Sequence, residues 1–332
     1  MMGGHHQIYL YAPAGPPVDG ATLIPCTTEG QRIMTFGSDD PNRLPAWPTD
    51  AQSALFNSNA ATLIKAYAEP HDIILLTGGL THKPIADALP PNTLCVEPGV
   101  GYDGIFTNYC AFESYAWRHT VYRRAGIEDG RWFDTVIPNY FDPLDFPHLN
   151  EGKGEYLLFL GRLIFRKGPQ IAAEIADACG LPLWVAGAGG TVVNDNLIEG
   201  QGVSIKGKNL RYIGPVDARR RAILLAGAKA LIVPTNYIEP FGGVAVEAMM
   251  AGTPAITSDW GAFTETVVNG VSGYRIGTLS EAKAAVEKTG SLDPAAVRQS
   301  ALDRYSLTAV APQFDQWFAR LQNLWGKGWY EV

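Results

Sequence analysis

The sequence predicts an α/β protein of two domains, with strands feeding parallel sheets and helices covering them. Three observations carry this. Short apolar runs alternate with helical stretches along the whole chain, the rhythm of βα units. The 332 residues are 46% hydrophobic and 18% charged, enough apolar material for one large or two medium cores and too little charge for disorder. A polar, glycine-rich stretch, His148-Leu-Asn-Glu-Gly-Lys-Gly154, breaks the rhythm near the middle and reads as the linker. The domains are therefore expected at residues 1–150 and 151–307.

In the first half, strands are expected at Gln7–Tyr11, Arg32–Phe36, Ile73–Thr77, Thr93–Val96 and Thr135–Ile137. Gly3-Gly4-His5-His6 precedes the first of these. Asp39–Pro48 is proline-rich and reads as a loop. A helix is expected from about Asp50 to Ala68. A second should cover Ser114 to Arg124, where Tyr115, Trp117, Val121 and Tyr122 crowd one side.

The second half has a cleaner rhythm. Strands are expected at Tyr156–Leu160, Leu183–Ala186, Leu210–Ile213, Ala230–Val233, Pro254–Thr257 and Tyr274–Ile276, with helices between them. Helices are expected at Pro169–Cys179, Asp217–Gly227 and from the Phe-Gly-Gly turn to about Ala251, then after Ser280 and Pro294. The last, about Thr308 to Leu324, carries Phe314, Trp317, Phe318, Leu321 and Leu324 at helical spacing, as core packing requires.

Bulk composition narrows the function. A net charge of −7 argues against a whole-molecule electrostatic grip on nucleic acid or anionic membrane. No apolar run reaches the ~18 residues of a membrane span. The N-terminus lacks a basic segment followed by an apolar one, so no signal peptide is expected. Cys26, Cys95, Cys110 and Cys179 have neither metal nor disulfide spacing and read as reduced thiols of a cytoplasmic protein. Eight Trp, fourteen Tyr and thirteen Phe suit the stacking of bases or sugar rings.

Two segments carry chemistry. Glu239-Pro-Phe-Gly-Gly-Val-Ala-Val-Glu247 follows an apolar strand and opens an apolar helix. The amides of Phe241, Gly242, Gly243 and Val244 lie at the helix start, where anions bind and glycine lets a phosphate come close. Glu247 lies one turn further in among apolar neighbours, so it needs a partner, and a ribose diol would serve. The second segment is Tyr156-Leu-Leu-Phe-Leu-Gly161-Arg162-Leu-Ile-Phe-Arg-Lys167-Gly168. It places Arg162 and Lys167 at the carboxyl end of a parallel strand, where open α/β sheets bind ligands. Arginine grips phosphate through two donors and lysine adds a point charge. Gly187-Ala-Gly189-Gly190 is an incomplete dinucleotide fingerprint, because its sixth residue is Val192 and no acidic residue follows about twenty positions on. Arg219-Arg-Arg221 opens a helix and is expected to face water.

Together these segments resemble glycosyltransferase family 4, retaining enzymes of GT-B fold that use nucleotide sugars. Gly161-Arg162 with Lys167-Gly168 is similar to the family's G-R-x4-K-G loop, and Glu239 with Glu247 to its E-x7-E pair. Ala251-Gly252-Thr253-Pro254 with Ser258, Asn269-Gly270 with Gly273, Arg211–Gly214, and Thr135–Asn139 with Phe146 match further motifs in order. Tyr140 stands where the family has glycine. The resemblance covers about residues 130–311 and is weaker before that.

The resemblance implies two Rossmann-like domains facing a cleft, with the C-terminal helix (308–332) crossing back onto the first, acceptor-side domain. It also implies a nucleotide diphosphate sugar as cosubstrate, with uridine favoured over guanosine, and transfer with retention. Arg162 and Lys167 would meet the leaving diphosphate, Glu239 the sugar hydroxyls and Glu247 the ribose. Gly161 and Gly187 would line the nucleotide, and domain closure would exclude water. Glu97 stands where members often carry a histidine near the sugar, and completes the catalytic candidates. Glu97–Asp103 and Phe112–Arg118 are expected on the acceptor side. No Asp-x-Asp motif stands at a strand end, so no metal and no other cofactor is expected. The acceptor is open among a small molecule, a glycan and a modified DNA base, the last because the first half resembles bacteriophage glycosyltransferases. The alternative class is a GT-B nucleotide-sugar epimerase or a non-catalytic nucleotide-sugar-binding protein.

Overall fold

The computed structural model describes residues 6–36, 49–146 and 154–324. The expected loop at Asp39–Pro48, Gly3–His5, most of the expected linker and the chain beyond Leu324 lie outside them. The chain divides into two compact units. One comprises Met1–Phe112, Val121–Thr135 and Ala311–Val332, the other Glu113–Thr120 and Val136–Val310.

The first unit opens with β1 (Tyr9–Pro13) and β2 (Thr22–Thr27), paired in parallel as a two-stranded sheet. Next come α1 (Glu29–Phe36), α2 (Asp50–Tyr67), β3 (Ile73–Leu75), α3 (Lys83–Ala88), β4 (Leu94–Val100), β5 (Cys110–Phe112), α4 (Tyr115–Ala125) and β6 (Thr135–Val136). Strands β3 to β6 form a sheet in chain order. The expected strand at Arg32–Phe36 is helical instead. Thr28 and Gln31 form a capping pair: the Thr28 N–H donates to Gln31 Oε1 (2.8 Å) and the Gln31 N–H to Thr28 Oγ1 (3.2 Å). The strand is Thr22–Thr27, disguised by Pro25, which a two-stranded edge tolerates. In α2, a full capping box at Thr49 and Gln52 starts the helix.

The second unit holds β7 (Leu157–Leu160), α5 (Pro169–Cys179), β8 (Leu183–Ala186), β9 (Thr191–Asn194), β10 (Leu197–Gly200), β11 (Val203–Lys206), β12 (Leu210–Gly214), α6 (Ala218–Gly227) and β13 (Ala230–Val233). It continues through α7 (Gly243–Met250), β14 (Ala255–Ser258), α8 (Phe263–Thr266), β15 (Gly273–Ile276), α9 (Leu279–Lys288) and α10 (Pro294–Tyr305). Six parallel strands lie in the order β12-β8-β7-β13-β14-β15. Numbered within the sheet this is 3-2-1-4-5-6, the doubly wound order whose chain direction reverses between β7 and β13.

Alternate residues explain why the sheet is buried on both faces. Leu158, Leu160, Leu231 and Val233 join a core covered by α6, α7 and α10, while Leu157, Phe159, Ala230 and Ile232 join one covered by α5 and α9. No helix links β8 to β12, contrary to the expected βα rhythm. An antiparallel sheet of β9, β10 and β11 stands there, and its last strand alternates Val203 and Ile205 inward with Ser204 and Lys206 outward.

The long stretch of the second unit starts at Val136, ahead of the boundary expected at 151. The reason is local pairing. The Phe141 N–H donates to Tyr305 O (2.9 Å), and the Leu307 N–H donates back to Phe141 O (3.1 Å). Arg298 donates to the carbonyls of Phe146 and Met250, tying this segment to the end of α7. Helix α11 (Leu307–Leu324) belongs to the first unit from Ala311 onward, where Trp317 Nε1 donates to Phe133 O (2.8 Å).

Candidate active site

The loops that leave β7 and β13 meet at the reversal point of the six-stranded sheet. After β7 the chain runs Gly161-Arg162 to a single 3-10 turn, Phe165–Lys167, and then into α5. After β13 it runs Thr235-Asn-Tyr-Ile-Glu239 to α7. The Asn236 N–H donates to Arg166 O (2.7 Å) and joins the two loops.

Lys167 and Glu239 are brought together by this junction. Lys167 Nζ lies 3.0 and 3.1 Å from the two Glu239 oxygens and donates to the Tyr237 hydroxyl at 2.6 Å. The Tyr237 phenol hydrogen-bonds Glu239 in turn. Burial first, and then the Glu239 carboxylate, push its pKa far up, against the pull of Arg166 and Arg162. The phenol therefore keeps its proton at any ordinary pH. The Arg166 guanidinium lies over the Tyr237 ring, 4.8 Å from its centre. Arg162 is exposed, and its guanidinium has no hydrogen bond or ion pair among the described residues. It is a free cation within electrostatic reach of Tyr237.

The start of α7 is shaped as a close-approach turn. Gly242 is left-handed (φ 78°), and a Cβ there would collide with the Phe263 ring. No side chain caps this helix. Gly243 and Val244 open its first turn, so their amides lie among the groups a helix leaves free for a ligand. The Phe241 ring turns into the core, edge-on to Tyr305 with centroids 5.6 Å apart.

Glu247 is buried on the next turn of α7. Among the described residues its Oε2 has no hydrogen-bond partner; it lies 3.3 Å from Arg221 Nε, which likewise makes none. Burial raises the carboxyl pKa and Arg221 counters it. This corrects the expectation that Arg219–Arg221 faces water, at least for Arg221. α6 packs on α7, and the buried carboxylate draws the guanidinium to it.

Gly161 and Gly187 touch backbone to backbone. The Gly161 N–H donates to Ala186 O (3.0 Å), and a Cβ on Gly187 would strike the Gly161 carbonyl oxygen. The Gly187 carbonyl accepts from the Tyr212 hydroxyl (2.8 Å). The glycine turn after β8 is thus fitted to the β7 loop.

Glu97 belongs to β4 of the first unit. It is wholly buried within the first unit. Its Oε2 accepts from the Phe106 and Thr107 N–H groups (2.9 Å each) and from the Thr107 hydroxyl (3.1 Å), and its Oε1 accepts from Tyr102 (2.9 Å). Expected among the catalytic candidates, Glu97 has both oxygens engaged in holding the loop between β4 and β5.

Three residues of the site stand outside the two motifs: Tyr237, Arg221 and Glu113. Tyr237 had a usable signal, being two residues before Glu239 on a strand-end loop. Glu113 had none. The segment Phe112–Arg118 was expected on the acceptor side, yet from Glu113 it docks on the Glu239 loop, where Ser114 Oγ donates to Pro240 O (2.6 Å). The Glu265 carboxylate accepts from the Tyr115 and Ala116 N–H groups and caps α4. Burial raises the Glu113 pKa, a hydrogen bond with Asn139 lowers it, and the charge of Glu239 raises it.

Such an arrangement, cations and an uncapped helix start at the reversal point of a doubly wound sheet, belongs to α/β proteins that bind anionic ligands at strand ends. The pattern of the family described as "Glycosyl transferases group 1" matches residues 141–292. A phosphatidyl-myo-inositol mannosyltransferase of Mycolicibacterium smegmatis is 31% identical over 304 residues, covering 81% of this chain and 72% of that protein. The chain belongs to the group 1 glycosyl transferase family. A glycogen synthase of Mycobacterium tuberculosis is 34% identical over 177 residues, 50% of this chain, and the match spans only 42% of that synthase's length. Among solved structures, a glycosyltransferase involved in avilamycin A biosynthesis superposes with a TM-score of 0.68 at 22% identity, covering 96% of this chain and 85% of that one. Anabaena HepE, solved with UDP-glucose, gives 0.65 at 16% identity, covering 95% and 100%. These likenesses show the GT-B fold. Among the described residues no helix is long and apolar enough to cross a membrane.

Proposed function

We propose that the chain transfers a hexosyl group from a nucleoside diphosphate sugar, UDP-sugar in preference, to a hydroxyl acceptor with retention of configuration. The observation that carries this reading is the Lys167–Tyr237–Glu239 cluster beside the free cation of Arg162 at the sheet's reversal point. UDP is favoured because a structural neighbour is solved with UDP-glucose. As the bond from the anomeric carbon to the diphosphate breaks, charge builds on the leaving oxygen. Arg162, Lys167 and the amides of Gly243 and Val244 neutralise it. Lys167 can turn from Tyr237 to the phosphate while Tyr237 still donates to Glu239. Glu239 then receives sugar hydroxyls, and Glu247 the ribose. The acceptor oxygen bonds to the anomeric carbon on the face the diphosphate leaves, and the acceptor's proton departs with the diphosphate. With cations already on the leaving group, no metal is required. The compartment this chemistry suits is the cytoplasm, where nucleotide sugars are made.

The test is calorimetric binding of UDP and GDP, followed by transfer assays with UDP-glucose and GDP-mannose in the presence of a chelator. We expect UDP to bind, donor consumption to require an acceptor, and EDTA to leave the rate unchanged. Binding of neither diphosphate would end the reading. An epimerised sugar from donor alone would replace transfer by epimerisation, and activity restored only by manganese or magnesium would overturn metal independence.

A further inference from the structure

Glu247 sits on α7 among Ala245, Val246, Ala248, Met249 and Met250, all buried, and none of these can hold its charge. The elements packed on α7 are α6, α10, β13 and β14. Strands β13 and β14 carry no ionisable side chain. From α10, Arg298 is turned to the Met250 carbonyl at the far end of α7, and Tyr305 packs on Phe241 before its start. From α6 comes Arg221. It shares a helix face with the buried Leu224 and Leu225, whereas Arg219 and Arg220 are exposed. That face carries its guanidinium to the carboxylate, with Nε 3.3 Å from Glu247 Oε2.

The pair is poorly built for stability. Both atoms are buried, yet neither makes a hydrogen bond among the described residues. A buried ion pair repays its desolvation only when geometry is good and hydrogen bonds satisfy the rest of each group. What the pair does secure is the charge state. Burial favours the protonated carboxyl, and Arg221 opposes it. An ionised carboxylate accepts hydroxyls at both oxygens, with charge strengthening each bond; a protonated one gives up that charge.

We propose that Arg221 is a positioning residue of the nucleotide site: it holds Glu247 by Oε2 and so presents Oε1, as the oxygen of an anion, to the two hydroxyls of a ribose. The proposal rests on the reading of Glu247 as the ribose ligand. Arg221 acts through Glu247 and touches no part of the nucleotide.

The test compares UDP with 2′,3′-dideoxyuridine diphosphate, which lacks the diol, by calorimetry on the full chain from about pH 6 to 8.5. The ratio of the two dissociation constants cancels the titration of the diphosphate, which both ligands share. The parent should prefer UDP by about tenfold or more across this range. In Arg221→Gln the preference should fall to about threefold or less at the acid end and recover as pH rises, because burial, now unopposed, keeps the proton on Glu247 to higher pH. Arg221→Met serves if Arg221→Gln does not fold, and Arg221→Lys should keep most of the parental preference. Glu247→Gln should show a small preference without pH dependence, and Arg221→Gln added to it should change nothing further. Inorganic pyrophosphate, which has no ribose, should bind these variants as it binds the parent; a general loosening of α6 on α7 would weaken it. A parental preference that persists at the acid end in Arg221→Gln and Arg221→Met would overturn the proposal, and so would a loss that rising pH does not restore. Equal binding of the two nucleotides by the parent would instead remove Glu247 from the ribose, and the role of Arg221 with it.

Discussion

Glu97 and Glu239 are both buried carboxylates, one within β4 of the first unit and one on the loop after β13 of the second, and they do different work. Glu97 accepts from fixed neutral donors: two backbone N–H groups and two hydroxyls of the loop that follows it, and the Cys110 thiol. Nothing in that set can leave without unfolding the loop. Glu239 is held by the Lys167 ammonium and the Tyr237 phenol, both at the ends of long side chains on neighbouring loops. Those partners can be re-aimed at a ligand. Burial of a carboxylate therefore does not mark a reactive site; the mobility and charge of its partners do.

The largest effect should come from breaking the fixed member of this pair. Glu97→Ala removes the acceptor of the Phe106 and Thr107 N–H groups and of the Tyr102 hydroxyl, and should cost about 2–5 kcal/mol of stability. Urea unfolding should show the loss, while the UDP dissociation constant of the folded variant stays within twofold or so of the parent. A stable Glu97→Ala protein without transfer activity would reverse the comparison and return Glu97 to the catalytic group.

Lys167→Ala and Arg162→Ala sharpen the other side. Each should lower turnover by roughly 10²–10³, more than it lowers donor affinity, because the leaving diphosphate gains charge toward the transition state. The double variant should fall short of the product of the singles if both cations meet one phosphate. Neither should approach the stability loss at Glu97, since Lys167 is partly exposed and Arg162 exposed. Equal losses in turnover and affinity would make the pair a ground-state clamp.

The smallest effect concerns Glu113, beside Glu239. Burial raises its carboxyl pKa above the usual 4.5, with the Glu239 charge adding to the rise and Asn139 opposing it. The folded state thus holds this proton more tightly than the unfolded chain. Its contribution to stability is largest below pH 4.5 and falls as pH rises from there through the folded value. Glu113→Gln should flatten that decline and leave the acid limb of other carboxylates in place. Denaturation midpoints from roughly pH 4 to 7 would check it, and an unchanged slope would mean that Glu113 and Glu239 do not share a field.

Much of the second unit was legible because its signals are local. The strands Leu183–Ala186 and Ala230–Val233 and the helix Pro169–Cys179 occupy the expected residues, each an apolar run bounded by Gly or Pro. The first unit was less legible. Pro25 hid a strand at a sheet edge, and a capping pair turned Arg32–Phe36 into a helix whose β-like composition had no sheet to join. Glu247 was expected to need a partner, and a ribose diol was named. That Arg221 supplies one required the packing of α6 on α7.

By itself the sequence determined the βα rhythm, the motifs at Gly161–Gly168 and Glu239–Glu247, and hence the family. Periodicity, glycine turns and motif spacing are properties of neighbours in the chain, and they survive being read in one dimension. Only the tertiary structure decided which charged groups meet. Lys167 and Glu239 are 72 positions apart, and Ser114 and Pro240 126 apart. Which of two similar carboxylates keeps exchangeable partners is set by the loops that surround it, and those loops are placed by the sheet order.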